Sequence, residues 1–112
     1  MAPVHPLRDL SPRTPAPGIE LRAIHGERLS LAHFRFAPGT PLAAHAHPHE
    51  QIGMLLSGRM ELTIGEMTQT VAAGEAWCIP AGTVHAARCL EGPAEVVEAF
   101  APVRNDWRDD TP

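Results

Sequence analysis

Twelve prolines and nine glycines are scattered through 112 residues, and this punctuation limits the fold more than any other feature of the chain. Proline lacks the amide hydrogen and its ring clashes inside a helix, so a chain broken this often cannot build long helices. Between the breaks lie short segments with a two-residue alternation, the period of a half-buried strand. Residues 19–25 place Ile19, Leu21 and Ala23 on one face and Glu20, Arg22 and Ile24 on the other. In residues 29–37, Ala32, Phe34 and Phe36 share one face and Leu31, His33 and Arg35 the other. Residues 52–56 end at the turn pair Ser57-Gly58, and Met60, Leu62 and Ile64 then alternate with Arg59, Glu61 and Thr63. Strands at 67–72, 77–79, 84–90 and 94–100 complete the set, the last two joined by Glu91-Gly92-Pro93. About eight or nine short strands at regular spacing predict an all-β jelly-roll sandwich or barrel.

A chain of this length forms one domain around one core. Pro3, Pro6, Pro12, Pro15 and Pro17 exclude a regular helix or a central strand from residues 1–18. That stretch is read as an N-terminal arm, with a solvated His5, leading into a domain over 19–112. The tail after Arg104 is polar apart from Trp107 and predicts at most a short helical turn. Net charge is −4 with no basic run, which makes nucleic acid and anionic membranes poor partners. The apolar runs are too short to span a membrane, and two cysteines are too few for a disulfide framework. A cytoplasmic protein with reduced thiols is the expectation. The strand at 29–37 is partly apolar on both faces, which predicts that its outer face meets a second subunit in a homodimer. His33, on that outer face, is read as an edge or interface histidine.

The chemistry concentrates in His45-Ala-His-Pro-His-Glu-Gln51. Two residues apart, His45 and His47 fall on one side of an extended chain. Pro48 then breaks the alternation, which puts His49 and Glu50 outside the ligand set, and Gln51 opens the next strand. His85 follows Pro80 and Gly82, turn residues that can return a strand beside the histidine pair. His45, His47, Gln51 and His85 are therefore the candidate metal ligands, with Glu50 in place of Gln51 as the alternative. Nitrogen-rich ligation without thiolate suits a divalent transition metal, Zn, Ni, Fe, Mn or Cu. Neutral ligands leave the ion its full charge, so the expected small-molecule substrate is anionic. Near the C-terminus Val96, Glu98 and Phe100 share one face and Val97 and Ala99 the other, and alternation leaves open which set points inward. Cys89 has the parity of His85 and is read as a small buried thiol.

These stretches resemble the two cupin motifs. Gly39, His45, His47 and Gly58 fit the first, with Gln51 where glutamate is usual. Gly74, Pro80, Gly82 and His85 fit the second, with Cys89 in place of its final asparagine. Residues 45–51 and 100–104, within a similarity that runs over most of 29–107, further resemble small cupins of the pectin-degradation (KdgF) group. That resemblance implies conversion of cyclic 4,5-unsaturated uronates to the linear 4-deoxy-5-keto form. It implies metal ligation by His45, His47, Gln51 and His85, and catalytic roles for Glu98, Phe100 and Arg104. The group has aspartate where this chain has Glu98, so the carboxylate is retained but moved. A metal-dependent cupin dioxygenase and a non-catalytic sugar-binding cupin are the alternatives, because one fold hosts many chemistries.

Overall fold

Burial alternates along the strands as their sequences demand. In Ser30–Phe36, Ser30, Ala32, Phe34 and Phe36 are buried and Leu31 and Arg35 exposed. The computed structural model describes residues 3–108, and in these the fold is all-β, with 3-10 turns at Leu7–Asp9 and Asn105–Trp107. Eight strands follow in order: β1 Arg13–Ala16, β2 Ile19–His25, β3 Ser30–Phe36, β4 Pro41–His45, β5 Glu50–Ile64, β6 Met67–Ala72, β7 Ala76–Ile79 and β8 His85–Ala101. All pairings are antiparallel, in the order β1-β2-β3-β8-β5-β6, with β4 added to β8 and β7 to β5. No helix among the described residues is long and apolar enough to cross a membrane.

β5 and β8 organise the jelly roll, and each is longer than the sequence suggests. Ser57-Gly58 and Glu91-Gly92-Pro93 are not turns between separate strands. Both lie within continuous strands, opposite one another, where the β5–β8 register shifts between Leu55 and Met60. Such irregularities bend paired strands without ending them. The first half of β5 and the second half of β8 therefore serve one layer with β1, β2, β3 and β7, and their other halves serve a second layer with β4 and β6. Gly58 sits at the corner with φ of 85°, and a Cβ there would lie 2.6 Å from the Glu91 carbonyl oxygen.

Within residues 1–18, Arg13–Ala16 pairs with β2 at the edge of the sheet, where prolines are tolerated. The core between the layers is built from Ile19, Leu21, Phe34, Phe36, Leu55, Met60, Val96 and Phe100. Of these, Ile19, Phe34, Phe36, Met60, Val96 and Phe100 also line an open cavity of about 350 Å³, which β4, β7 and the Asn105–Trp107 turn help to surround.

Candidate metal centre

β4 ends at His45, whose backbone pairs with His85 at the start of β8. The strand pairing thus brings residues forty positions apart side by side, and His47 follows across Ala46 to close the group. Imidazole centroids lie 4.2 Å apart for His45–His85, 5.0 Å for His47–His85 and 5.6 Å for His45–His47. One ring nitrogen from each lies within 4.8 Å of the others, a spacing that one ion can bridge.

The hydrogen bonds suit ligation. His45 Nδ1 is 2.8 Å from the Ala43 carbonyl oxygen and His85 Nδ1 is 2.8 Å from that of Thr83. A carbonyl only accepts, so in each neutral ring Nδ1 carries the proton and Nε2 keeps its lone pair. His85 Nε2 is buried with no partner, as is Nδ1 of His47. Burial lowers the pKa of His47 to about 4, helped by the Arg104 charge and the neighbouring histidines, and burial also lowers that of His85. Both rings are neutral at pH 7, the form a metal requires.

Gln51 is oriented from behind. Its Nε2 donates to Glu98 Oε2 at 2.6 Å, and since a carboxylate only accepts, the amide is held with Oε1 turned the other way. Oε1 is buried without a donor. Orphaned acceptors on Gln51 and His85, lining one cavity, fit a metal ion as their missing partner. His49 lies outside the cluster, 5.3 Å from His47 by ring centroids, and Glu50 is exposed at the start of β5.

Val96, Glu98 and Phe100 point inward, while Val97 pairs across the outer face with Met54 and His33. Glu98 Oε2 accepts from Gln51 and, at 2.8 Å, from Trp77 Nε1. Burial raises the Glu98 pKa, and those two bonds and the Arg104 charge oppose the shift. Arg104 is 9% exposed. Its Nε and Nη2 donate to Asp106 at 3.0 and 2.8 Å, and its guanidinium carbon lies 3.7 Å from the Trp107 ring centroid and 4.9 Å from that of Phe100. No described protein group bonds Nη1. The seven candidate site residues therefore line one cavity. Sequence reasoning did not single out Trp77, Gly53 or Asp106. Of these, only Asp106 carried a local signal, an acid two residues from Arg104.

The metal-free protein is expected to lose stability on acidification. In the unfolded chain His47 takes a proton near 6.5, whereas in the fold it stays neutral to about 4. Its contribution is complete above pH 6.5 and is lost as pH falls toward 4. Thermal midpoints of metal-free protein should drop across that window, and His47→Gln should flatten the drop.

Three imidazoles at strand ends inside a rolled antiparallel sheet define a jelly roll with a group able to hold a transition metal. Residues 32–100, well over half of the chain, match the cupin domain family, and the chain is a cupin. Among solved structures it is similar to KdgF from Halomonas sp., with 27% identity, a TM-score of 0.83, and coverage of 90% of this chain and 94% of that one. An RmlC-like cupin from Shewanella frigidimarina shares the fold, with a TM-score of 0.88 at 19% identity over 96% of this chain and 97% of that one. The uncharacterized protein SCO3923 of Streptomyces coelicolor is 26% identical over 85 residues, which span 76% of this chain and 81% of that protein.

Proposed function

We propose that this cupin holds one divalent transition metal on His45, His47, His85 and Gln51 and opens the ring of cyclic 4,5-unsaturated uronates. The observation that carries the reading is the meeting of Glu98 and Arg104 with the three-histidine group in one cavity. The resemblance to KdgF supplies the substrate class. In this isomerisation the anomeric hydroxyl loses its proton, the bond from C1 to the ring oxygen breaks, and the resulting enolate takes a proton at C4, so that the formula is unchanged. In this reading Glu98 moves that proton, and Arg104, whose Nε and Nη2 are taken up by Asp106, pairs with the sugar carboxylate through Nη1. Phe100 supplies an apolar wall beside His47, at 6.0 Å between ring centroids. A bound metal would add a Lewis acid for the carboxylate or a ring hydroxyl. Purified protein incubated with unsaturated galacturonate, beside elemental analysis, tests the reading. Metal without turnover would favour the binding-module or dioxygenase alternatives.

The reading includes a homodimer, formed through the outer face of the sheet, and a cytoplasmic location suited to the two free thiols. In the first half of β5, three large apolar residues point away from the core. Gln51, Gly53 and Leu55 face in, while Ile52, Met54 and Leu56 are 55%, 41% and 48% exposed. Strand register sets Ile52 in one row with Ala99, Leu31 and Ile24, so the exposed side chains form a continuous patch across four strands. A patch of this kind marks an association surface. A second copy satisfies it by the self-complementarity of a two-fold interface. Light scattering at micromolar concentration should give twice the chain mass, and Ile52→Glu should give a monomer with the fold intact. A monomeric wild type would refute the dimer.

A further inference from the structure

Gly53 has an ordinary backbone conformation, unlike the six glycines with positive φ, so its lack of a side chain answers a need for space. It lies at the centre of a three-strand row, paired with Trp77 of β7 on one side and Glu98 of β8 on the other. Side chains from the two outer strands ordinarily stand apart across a central residue, since neighbouring strands are about 4.8 Å apart. Here they lean together over Gly53 and meet, with Trp77 Nε1 donating to Glu98 Oε2 at 2.8 Å. A Cβ on residue 53 would lie 2.6 Å from Glu98 Cγ and 2.6 Å from both Cε2 and Nε1 of Trp77, closer than real atoms approach. The contact exists because residue 53 is glycine.

Both donors that reach Glu98, the indole and the Gln51 amide, converge on Oε2. No described protein group bonds Oε1, and Glu98 lines the cavity. We propose that Trp77 and Gly53 are positioning residues, which hold one oxygen of Glu98 against the wall and present the other to the ligand in the cavity. This deepens the ring-opening reading and rests on it for its catalytic consequence. A carboxylate free to rotate would offer either oxygen in many orientations, whereas one pinned at Oε2 by two N–H groups has a single direction of approach. The same contact accounts for a glutamate at this position, since an aspartate, one methylene shorter, would end short of the indole.

The test uses the metal-loaded full chain in two arms. The first needs no substrate. Trp77 and Trp107 give two indole N–H resonances, which Trp107→Phe assigns. Glu98→Gln changes the acceptor from charged to neutral and should shift the Trp77 resonance, and Gly53→Ala should shift it and speed its exchange with solvent. The second arm is turnover of unsaturated galacturonate. Trp77→Phe keeps an aromatic ring, smaller than the indole, and drops the N–H, so kcat should fall about ten- to a hundredfold, the cost of a small misplacement, with KM and metal content nearly unchanged. In the Glu98→Gln background the same substitution should cost nothing further, because its effect runs through Glu98. A Trp77 resonance indifferent to Glu98→Gln and Gly53→Ala would overturn the proposal. So would a kcat loss in Trp77→Phe that multiplies with that of Glu98→Gln. A wild type without turnover, but with the expected indole shifts, would sink the ring-opening reading and leave the pinned carboxylate supported.

Discussion

Glu98→Gln is expected to lower turnover of an unsaturated uronate by about two to four orders of magnitude, the range for losing a general acid or base. The geometry makes this substitution clean. The amide oxygen of a glutamine can accept from both Trp77 Nε1 and Gln51 Nε2, as Glu98 Oε2 does, and its NH2 then takes the place of the free oxygen. Shape and the orientation of Gln51 are kept, and the group that exchanges a proton is lost. Metal content should therefore be unchanged. A rate within a few-fold of wild type would remove Glu98 from the proton transfer, and a parallel loss of metal would mean that it acts by holding Gln51.

His47→Ala is expected to reduce bound transition metal from about one ion per chain, the stoichiometry of a single site, to near zero. His47 lies beside both other imidazoles and has a buried, unpartnered ring nitrogen, so its removal opens a gap in the ligand set. Elemental analysis of protein prepared without a histidine tag gives the measurement. His49→Ala is the control. The His49 ring lies against the Arg104–Asp106 side and outside the three-histidine group, so that variant should keep its metal. Full metal in His47→Ala would place the ion elsewhere.

The ligand types of the metal cluster were legible because His45, His47 and Gln51 fall within seven residues, whereas His85 joins them only through the β4–β8 pairing. Pro48 lies in the break between β4, which ends at His45, and β5, and Pro80 and Gly82 lie in the break between β7 and β8, which opens at His85. The two-residue period likewise assigns the buried side of β3 correctly, since Ala32, Phe34 and Phe36 fall in one run and His33 and Arg35 in the other. Residues 94–100 resist the same reading. Their alternate sets are Val96, Glu98, Phe100 and Val97, Ala99, both compatible with burial, and the choice depends on what lies behind the strand. The fold turns Val96 and Phe100 into the core, and Glu98 follows them because the pleat allows nothing else.

Turn propensity at Ser57-Gly58 and Glu91-Gly92-Pro93 was also outweighed. Each segment continues because the other pairs with it, a non-local gain that a local preference cannot report. The same holds for Gly53. In the sequence it is a weak point in an apolar run, 24 residues from Trp77 and 45 from Glu98. Only the register of β7, β5 and β8 sets the three in one row, where a missing side chain becomes the space in which an indole and a carboxylate meet. Sequence by itself determined strand content and the residue types of a metal site, because backbone chemistry and ligand spacing act over a few residues. The tertiary structure alone decided which face of residues 94–100 points inward and what holds the acid in place, because those follow from contacts between strands distant in the chain.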